Sequence, residues 1–217
     1  MLVLLPPSEG KAQPEVGEPV DFGSLAFAQE LREKREELIE ALGPGLRDAP
    51  AAPAAEVYTG VLYGRLELPK LPAKAQRQVL IASALWGFVR PTDRIPYYRL
   101  PPKGELGGVG PLAKYWRSAL AETLPDNEGE LILDMRSAAY STMWKPKRAT
   151  LLAVRAFTES DGERKAVSHM AKVVRGDVAR ALLQAKKPPT DPGDAAALAE
   201  DAGFAVELND GNLDVIV

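Results

Sequence analysis

Within ten residues, Arg90-Pro91-Thr92-Asp93-Arg94-Ile95-Pro96-Tyr97-Tyr98-Arg99, the chain gathers three guanidinium groups and two phenols. Arginine offers a planar fork for phosphate oxygens and tyrosine a stackable face with a hydroxyl donor, so the run suits a nucleotide or a nucleic-acid backbone. The competing reading is internal: Asp93 pairs with Arg90 or Arg99 while the tyrosines fill the edge of the core. A second basic set, His169, Lys172, Arg175 and Gly176, recurs at helical spacing, with Met170, Val173, Val174 and Val178 available to face inward. Ser168 as N-cap would leave backbone N–H groups for a phosphate, although an ordinary solvated helix face carries the same pattern. Lys11, after Ser8-Glu9-Gly10, adds a point charge, but the first glycine and the following hydroxyl that a P-loop requires are missing.

Other chemistries are excluded by inventory. The chain has no cysteine and a single histidine, so thiol peroxide chemistry, disulfides, zinc-thiolate sites and His-rich metal sites are ruled out. A triad would have to join His169 to Ser8, Ser137 or Ser168, and no nucleophile-elbow motif supports one. Glu9, Asp93 and Asp134 form no tight constellation along the chain; no metal or cofactor is expected, while an all-oxygen metal site stays open.

The net charge of −3 and pI of about 5.4 argue against a nucleic-acid partner until the distribution is examined. Residues 65–103 carry eight Lys and Arg against two acids, and residues 136–187 carry twelve against four. The three remaining stretches are acidic, the last of them, 188–217, holding seven acids and no base. If folding joins the two basic blocks they make a positive face on an acidic body.

The elements that must position these groups follow from periodicity. Met1 to Leu5 reads as a buried strand, too short for a membrane span or signal core, that ends in a Pro6–Lys11 loop. Ser24 to Leu42 reads as an exposed amphipathic helix stopped by Gly43, and Ala49 to Ala55 as a connector or short helix. Val79 to Val89 is a buried segment emptying into a polar loop, and Leu131–Leu133 is a short strand followed by Asp134 to Tyr140. Ala166–Ser168 reads as a further strand before a helix from about His169 to Gln184, and the tail as a hairpin turning at Asn209–Asn212. The expectation is a single compact domain over 1–217, α/β of the mixed α+β kind, with ligands gathered at strand ends.

Several blocks together are similar to one family: PPSEGKA near the start, EVYTGVLYG at 56–64, VLIASALWGFVRPTDRIPYYRL at 79–100, LAKYW at 112–116, LILDMRSAAY at 131–140 and KAVSHMAKVVRGDVARALL at 165–183. They resemble, in order, landmarks of the YaaA peroxide-stress family. Ser8-Glu9-Gly10-Lys11 replaces the family's more familiar serine–proline–alanine–lysine, and Asp134-Met135-Arg136 stands where asparagine–leucine–alanine is familiar, whereas Lys11, Ser137 and Tyr140 match. The resemblance implies the cantaloupe fold, a positive cleft, double-stranded DNA binding and a cytoplasmic role in limiting iron-driven damage under peroxide.

Two functions remain. The first is a monomeric duplex binder that holds phosphates through Lys11, Arg90, Arg94, Tyr97, Arg99, Ser137, Tyr140, His169, Lys172 and Arg175, with steep salt dependence. The second is an enzyme of nucleotide or nucleobase metabolism that holds a nucleotide-like small molecule in the same cleft, with Lys11 or a carboxylate in acid–base chemistry.

Overall fold

Leu2–Leu5 forms strand β1, and all four residues are buried, as a strand covered on both faces must be. The computed structural model describes residues 1–100, 105–106, 109–160 and 163–217. After β1 come helices α1 (Ala28–Leu42), α2 (Ala54–Val57) and α3 (Val61–Leu66), strands β2 (Val79–Ser83) and β3 (Gly87–Val89), and helix α4 (Leu112–Thr123). The second half holds β4 (Leu131–Asp134), α5 (Ala138–Ser141), β5 (Thr150–Ser160), β6 (Glu163–Ala166), α6 (Ser168–Gln184), α7 (Pro192–Asp201), β7 (Ala205–Asn209) and β8 (Asn212–Ile216).

The eight strands make one mixed sheet in the order β7-β8-β5-β4-β1-β2-β3, with β6 folded antiparallel onto β5. The centre is parallel: Leu4 lies beside Leu80 on one side and Asp134 on the other, and β4, β5 and β8 continue in the same direction. Antiparallel β3 and β7 close the two edges. This is the mixed α/β architecture expected, with helices packed on the sheet.

Several boundaries move for physical reasons. Helix α1 starts at Ala28 rather than Ser24, because Phe27 adopts a left-handed φ of 57° and the Asp93 carboxylate accepts the Ala26 N–H at 2.9 Å. The segment 79–89 is two antiparallel strands around a tight turn rather than one run. Its Gly87 has φ 72°, and a Cβ there would meet the Trp116 ring at 3.0 Å. The strand expected at 166–168 ends at Ala166, and Ser168 is the first residue of α6 with Val167 before it, so Ser168 is not its N-cap. Strand β5, eleven residues long, escaped the sequence reading; Leu152, Val154 and Ala156 alternate inward along it, and the half-buried positions between them include the charged Arg155. The C-terminal hairpin is present as expected.

Helix α1 is not simply exposed. Arg35 points into the core, where its guanidinium donates to Trp86 O at 3.1 Å, Phe88 O at 3.0 Å and Ala26 O at 2.8 Å. Burial pulls its pKa down to about 10, opposed by the nearby Asp93 charge. Trp116 on α4 donates its indole N–H to Ala84 O at 2.8 Å and ties that helix to the β2–β3 turn.

Candidate functional site

The parallel strands β1 and β4 end on the same side, and the loops that leave them, 6–11 and 135–137, open into a cleft of about 750 Å³. Carboxyl ends of parallel strands are where such sheets hold ligands, because the diverging connections leave a crevice there. Helices α3 and α6 supply the facing wall. The cleft brings together six residues singled out from sequence: Lys11, Arg99, Ser137, Tyr140, Lys172 and Arg175. Ser8, Glu9, Thr59, Gly60 and Tyr63 join them.

The Lys11 loop is held from several directions. Its ammonium donates to Ser8 O at 2.8 Å, Ser8 Oγ accepts the Thr59 N–H at 3.0 Å, and the Ala12 N–H reaches Val57 O at 2.8 Å. Tyr63 donates to Pro6 O at 2.7 Å. The Lys11 Nζ lies 4.7 Å from the Tyr98 ring centroid and 5.8 Å from that of Tyr58. Burial lowers the Lys11 pKa, the positive charge of Arg99 lowers it further, and Glu9 opposes both.

Beneath Lys11 runs a buried hydroxyl chain. Ser83 Oγ and Tyr98 Oη are 2.7 Å apart, as are Tyr98 Oη and Tyr58 Oη. Tyr58 stacks on Tyr63 at 5.6 Å. Burial raises the pKa of all three phenols and of Tyr140, so each is a neutral donor at physiological pH.

On α6, Arg175 is half-buried and donates Nε–H to Val154 O at 2.9 Å; burial lowers its pKa and the Asp134 charge opposes that. Lys172 and Arg99 are exposed on the rim, and neither has a carboxylate ion-pair partner among the described residues. Helix α6 reaches the cleft because Gly176 lets it cross α3 closely: a Cβ at 176 would stand 2.6 Å from Leu62 O and 2.7 Å from Arg65 Cβ. The bidentate Arg65–Asp177 pair, 2.8 and 2.9 Å, spans the same crossing.

Behind the cleft wall lies an ion pair that the sequence did not suggest. Asp134 takes two bonds from the Arg136 guanidinium, at 2.8 and 2.9 Å, and the Arg136 backbone N–H at 3.0 Å. Both side chains are buried, so the Asp-Met-Arg departure noted above sits behind the cleft wall and braces α5 rather than lining the cleft.

The remaining sequence candidates lie elsewhere. Arg90 donates to Arg77 O at 3.2 Å and lines a separate cavity of about 390 Å³ at the amino ends of β1, β2 and β4, the opposite end of these strands. Arg94 donates to Ala51 O in the short pairing of Ala51–Pro53 with Arg94–Pro96. Tyr97 is half-buried outside the cleft, whereas its neighbour Tyr98 lies under Lys11. Asp93 does not pair with Arg90 or Arg99 through its side chain; it accepts the Arg90 and Ala26 backbone N–H groups, both at 2.9 Å, and burial raises its pKa. His169 lies on α6, but its side chain and that of Ser168 fall outside the described residues. Tyr58, Thr59, Gly60 and Tyr63 were not singled out from sequence, and their only signal was the EVYTGVLYG block that carries them.

Several cations outside the cleft are neutralised. Arg155 pairs with Asp214, Arg164 with Glu207 and Glu159, and Arg180 and Lys70 with Glu67. Of the two basic blocks, Arg99 from the first and Lys172 and Arg175 from the second reach the cleft. Among the described residues no three His, Asp or Glu side chains gather closely enough to hold a metal ion, and no helix is long and apolar enough to cross a membrane.

Residues 1–208 match the family model described as peroxide stress protein YaaA. A UPF0246 protein of Streptomyces coelicolor is 41% identical over 95% of this chain and 92% of its own length. One from Corynebacterium efficiens is 35% identical over 100% of the chain and 98% of its own length, and an uncharacterized protein of Campylobacter jejuni is 28% identical over 81% and 82%. With a family match that runs from the first strand into the C-terminal hairpin, the chain belongs to the YaaA peroxide-stress protein family.

Proposed function

We propose that the protein serves the peroxide-stress response by binding the phosphates of duplex DNA at this cleft, thereby limiting iron-driven damage. The observation that carries the reading is the set of four cations without carboxylate ion pairs among the described residues, Lys11, Arg99, Lys172 and Arg175, around one crevice of a chain whose net charge is −3. Lys172 and Arg99 on the rim meet the backbone, Arg175 and Lys11 take the phosphate that enters deepest, and Ser137 and Tyr140 add hydroxyl donors. A second reading, a nucleotide-like small molecule seated inside and used as an enzyme substrate, is favoured by the cleft volume of about 750 Å³, which falls in the range of about 300–1,000 Å³ usual for such sites.

The test is duplex binding across a salt series with the parent, an Arg99→Gln/Lys172→Gln variant and an Arg90→Gln control, beside a nucleotide panel read by thermal shift. Loss of two phosphate contacts should flatten the log–log salt slope by about two, with Arg90→Gln unchanged. Equal salt slopes for all three proteins would overturn the DNA reading, and stabilisation by one nucleotide without duplex binding would replace it with the second.

A further inference from the structure

We propose that Lys11 is a Schiff-base nucleophile for an aldehyde that carries phosphate. The inference rests on the phosphate-binding reading of the cleft and adds a reaction to it. A lysine attacks carbonyl carbon only as the free amine, and a desolvated site beside another cation is a known way to keep a population of that form at neutral pH. Lys11 meets both conditions: it sits half-buried in the cleft, and Arg99 lies near enough to disfavour its charge. The other groups facing it are Glu9, which favours the ammonium, and the rings of Tyr98 and Tyr58, which also attract a cation.

Position supports the same role. Nζ is tethered by its bond of 2.8 Å to Ser8 O, while Lys172 and Arg175 line the same cleft. A phosphate held by those two presents a carbonyl on the same molecule to an amine that the loop has already oriented. Lys11 has no carboxylate ion-pair partner among the described residues, in contrast to Lys70 and Lys165.

The step balances without any oxidant or reductant. The amine lone pair forms the N–C bond, and the carbonyl oxygen takes up a proton as nitrogen loses one, giving a carbinolamine. Its hydroxyl then departs with a second proton as water and leaves the imine. Two sources share this chemistry, a sugar-phosphate aldehyde and the ring-opened abasic site of DNA, in which the aldehyde is flanked by phosphates.

The experiment incubates the full chain with glyceraldehyde 3-phosphate and sodium cyanoborohydride and locates adducts by peptide mass mapping. Unphosphorylated glyceraldehyde and a duplex bearing one abasic site serve as parallel arms. Lys11 should be trapped at least about tenfold faster than any other lysine and faster with the phosphorylated aldehyde. Lys11→Arg should abolish that adduct, and Lys172→Gln should slow it for the phosphorylated aldehyde alone. Circular dichroism of both variants excludes unfolding as the cause. A trapped protein–DNA species assigns the source to DNA, and a small-molecule adduct without one assigns it to a sugar phosphate. Uniform labelling of surface lysines, with phosphate-dependent thermal stabilisation intact, overturns the nucleophile and leaves the binding reading standing. Fast Lys11 labelling that ignores the phosphate overturns the phosphate requirement and with it the binding reading.

Discussion

The cleft and the C-terminal edge of the sheet are both rich in arginine and lysine, yet their charges are used in opposite ways. At the edge, Arg155 grips Asp214 with two bonds of 2.6 and 2.7 Å, and Arg164 grips Glu207 with bonds of 2.7 and 2.6 Å while reaching Glu159 at 2.8 Å. At the cleft, Lys11, Arg99, Lys172 and Arg175 find only backbone acceptors or rings among the described residues. Two of the three acids that quench the edge, Glu207 and Asp214, come from the tail, 43 and 59 residues away in sequence. A block of positive charge thus says little about a ligand until the fold shows which acids come back to meet it.

The sharpest way to stress this contrast is at the buried pair behind the cleft. Asp134→Ala leaves the buried Arg136 guanidinium without its counter-charge and should cost about 3–5 kcal/mol in a denaturant titration. Asp134→Leu combined with Arg136→Met should recover most of that loss, because no buried charge remains. If Asp134→Ala proved as mild as an edge substitution, the support behind the cleft would be no firmer than the edge.

A smaller effect is expected at the helix crossing. Gly176→Ala gains helix propensity, but its Cβ would lie 2.6 Å from Leu62 O, so a net loss of about 1–3 kcal/mol should accompany weaker ligand binding at the cleft. Unchanged stability and binding would mean that α3 and α6 separate without consequence for the site.

The smallest effect belongs to the edge. Arg155 is itself solvent-accessible, and Asn209 still donates to the buried Asp214 carboxylate, so Arg155→Ala should cost only about 1 kcal/mol at neutral pH and leave cleft binding untouched. Its signature is the acid limb of stability. Burial pushes the Asp214 carboxyl up, but hydrogen bonds from Arg155 and Asn209 outweigh it and hold the pKa below the usual carboxylate value. That contribution is present above the ordinary carboxylate pKa and is lost as pH falls through the depressed one, so Arg155→Ala should flatten the acid limb of a denaturation midpoint plotted against pH. Asp93 carries the opposite sign: its raised pKa makes deprotonation a cost that is relieved as pH falls.

Much of the frame was legible from periodicity. Uniformly apolar runs gave β1 and β4, and the Asn209–Asn212 turn between alternating segments gave the last hairpin. Strand β5 was not legible, since Arg155 and Thr158 within it resemble loop composition until the sheet supplies an exposed face with acids opposite. Six of the ten site candidates share the cleft because they follow strand ends or ride the α6 face, which sequence can place. Arg90 and Arg94 do not, because a dense basic run shows composition but not that the backbone turns between Val89 and Arg94 and points their guanidinium groups at Arg77 and Ala51. Arg35 falls within the helix read from sequence as exposed and amphipathic, and only the carbonyls of the β2–β3 turn reveal why it faces inward.

The hydroxyl chain under Lys11 has a direction. Ser83 Oγ already accepts the N–H groups of Leu85 at 3.2 Å and Trp86 at 2.9 Å, so its own hydrogen is left to donate to Tyr98. Tyr98, having accepted, donates onward to Tyr58, whose phenolic hydrogen is the only one in the series not spent inside the chain. Two backbone amides in a tight turn thereby set the proton orientation of a phenol whose ring the Lys11 ammonium overlies, and the polarity of that part of the cleft is fixed by the main chain before any ligand arrives.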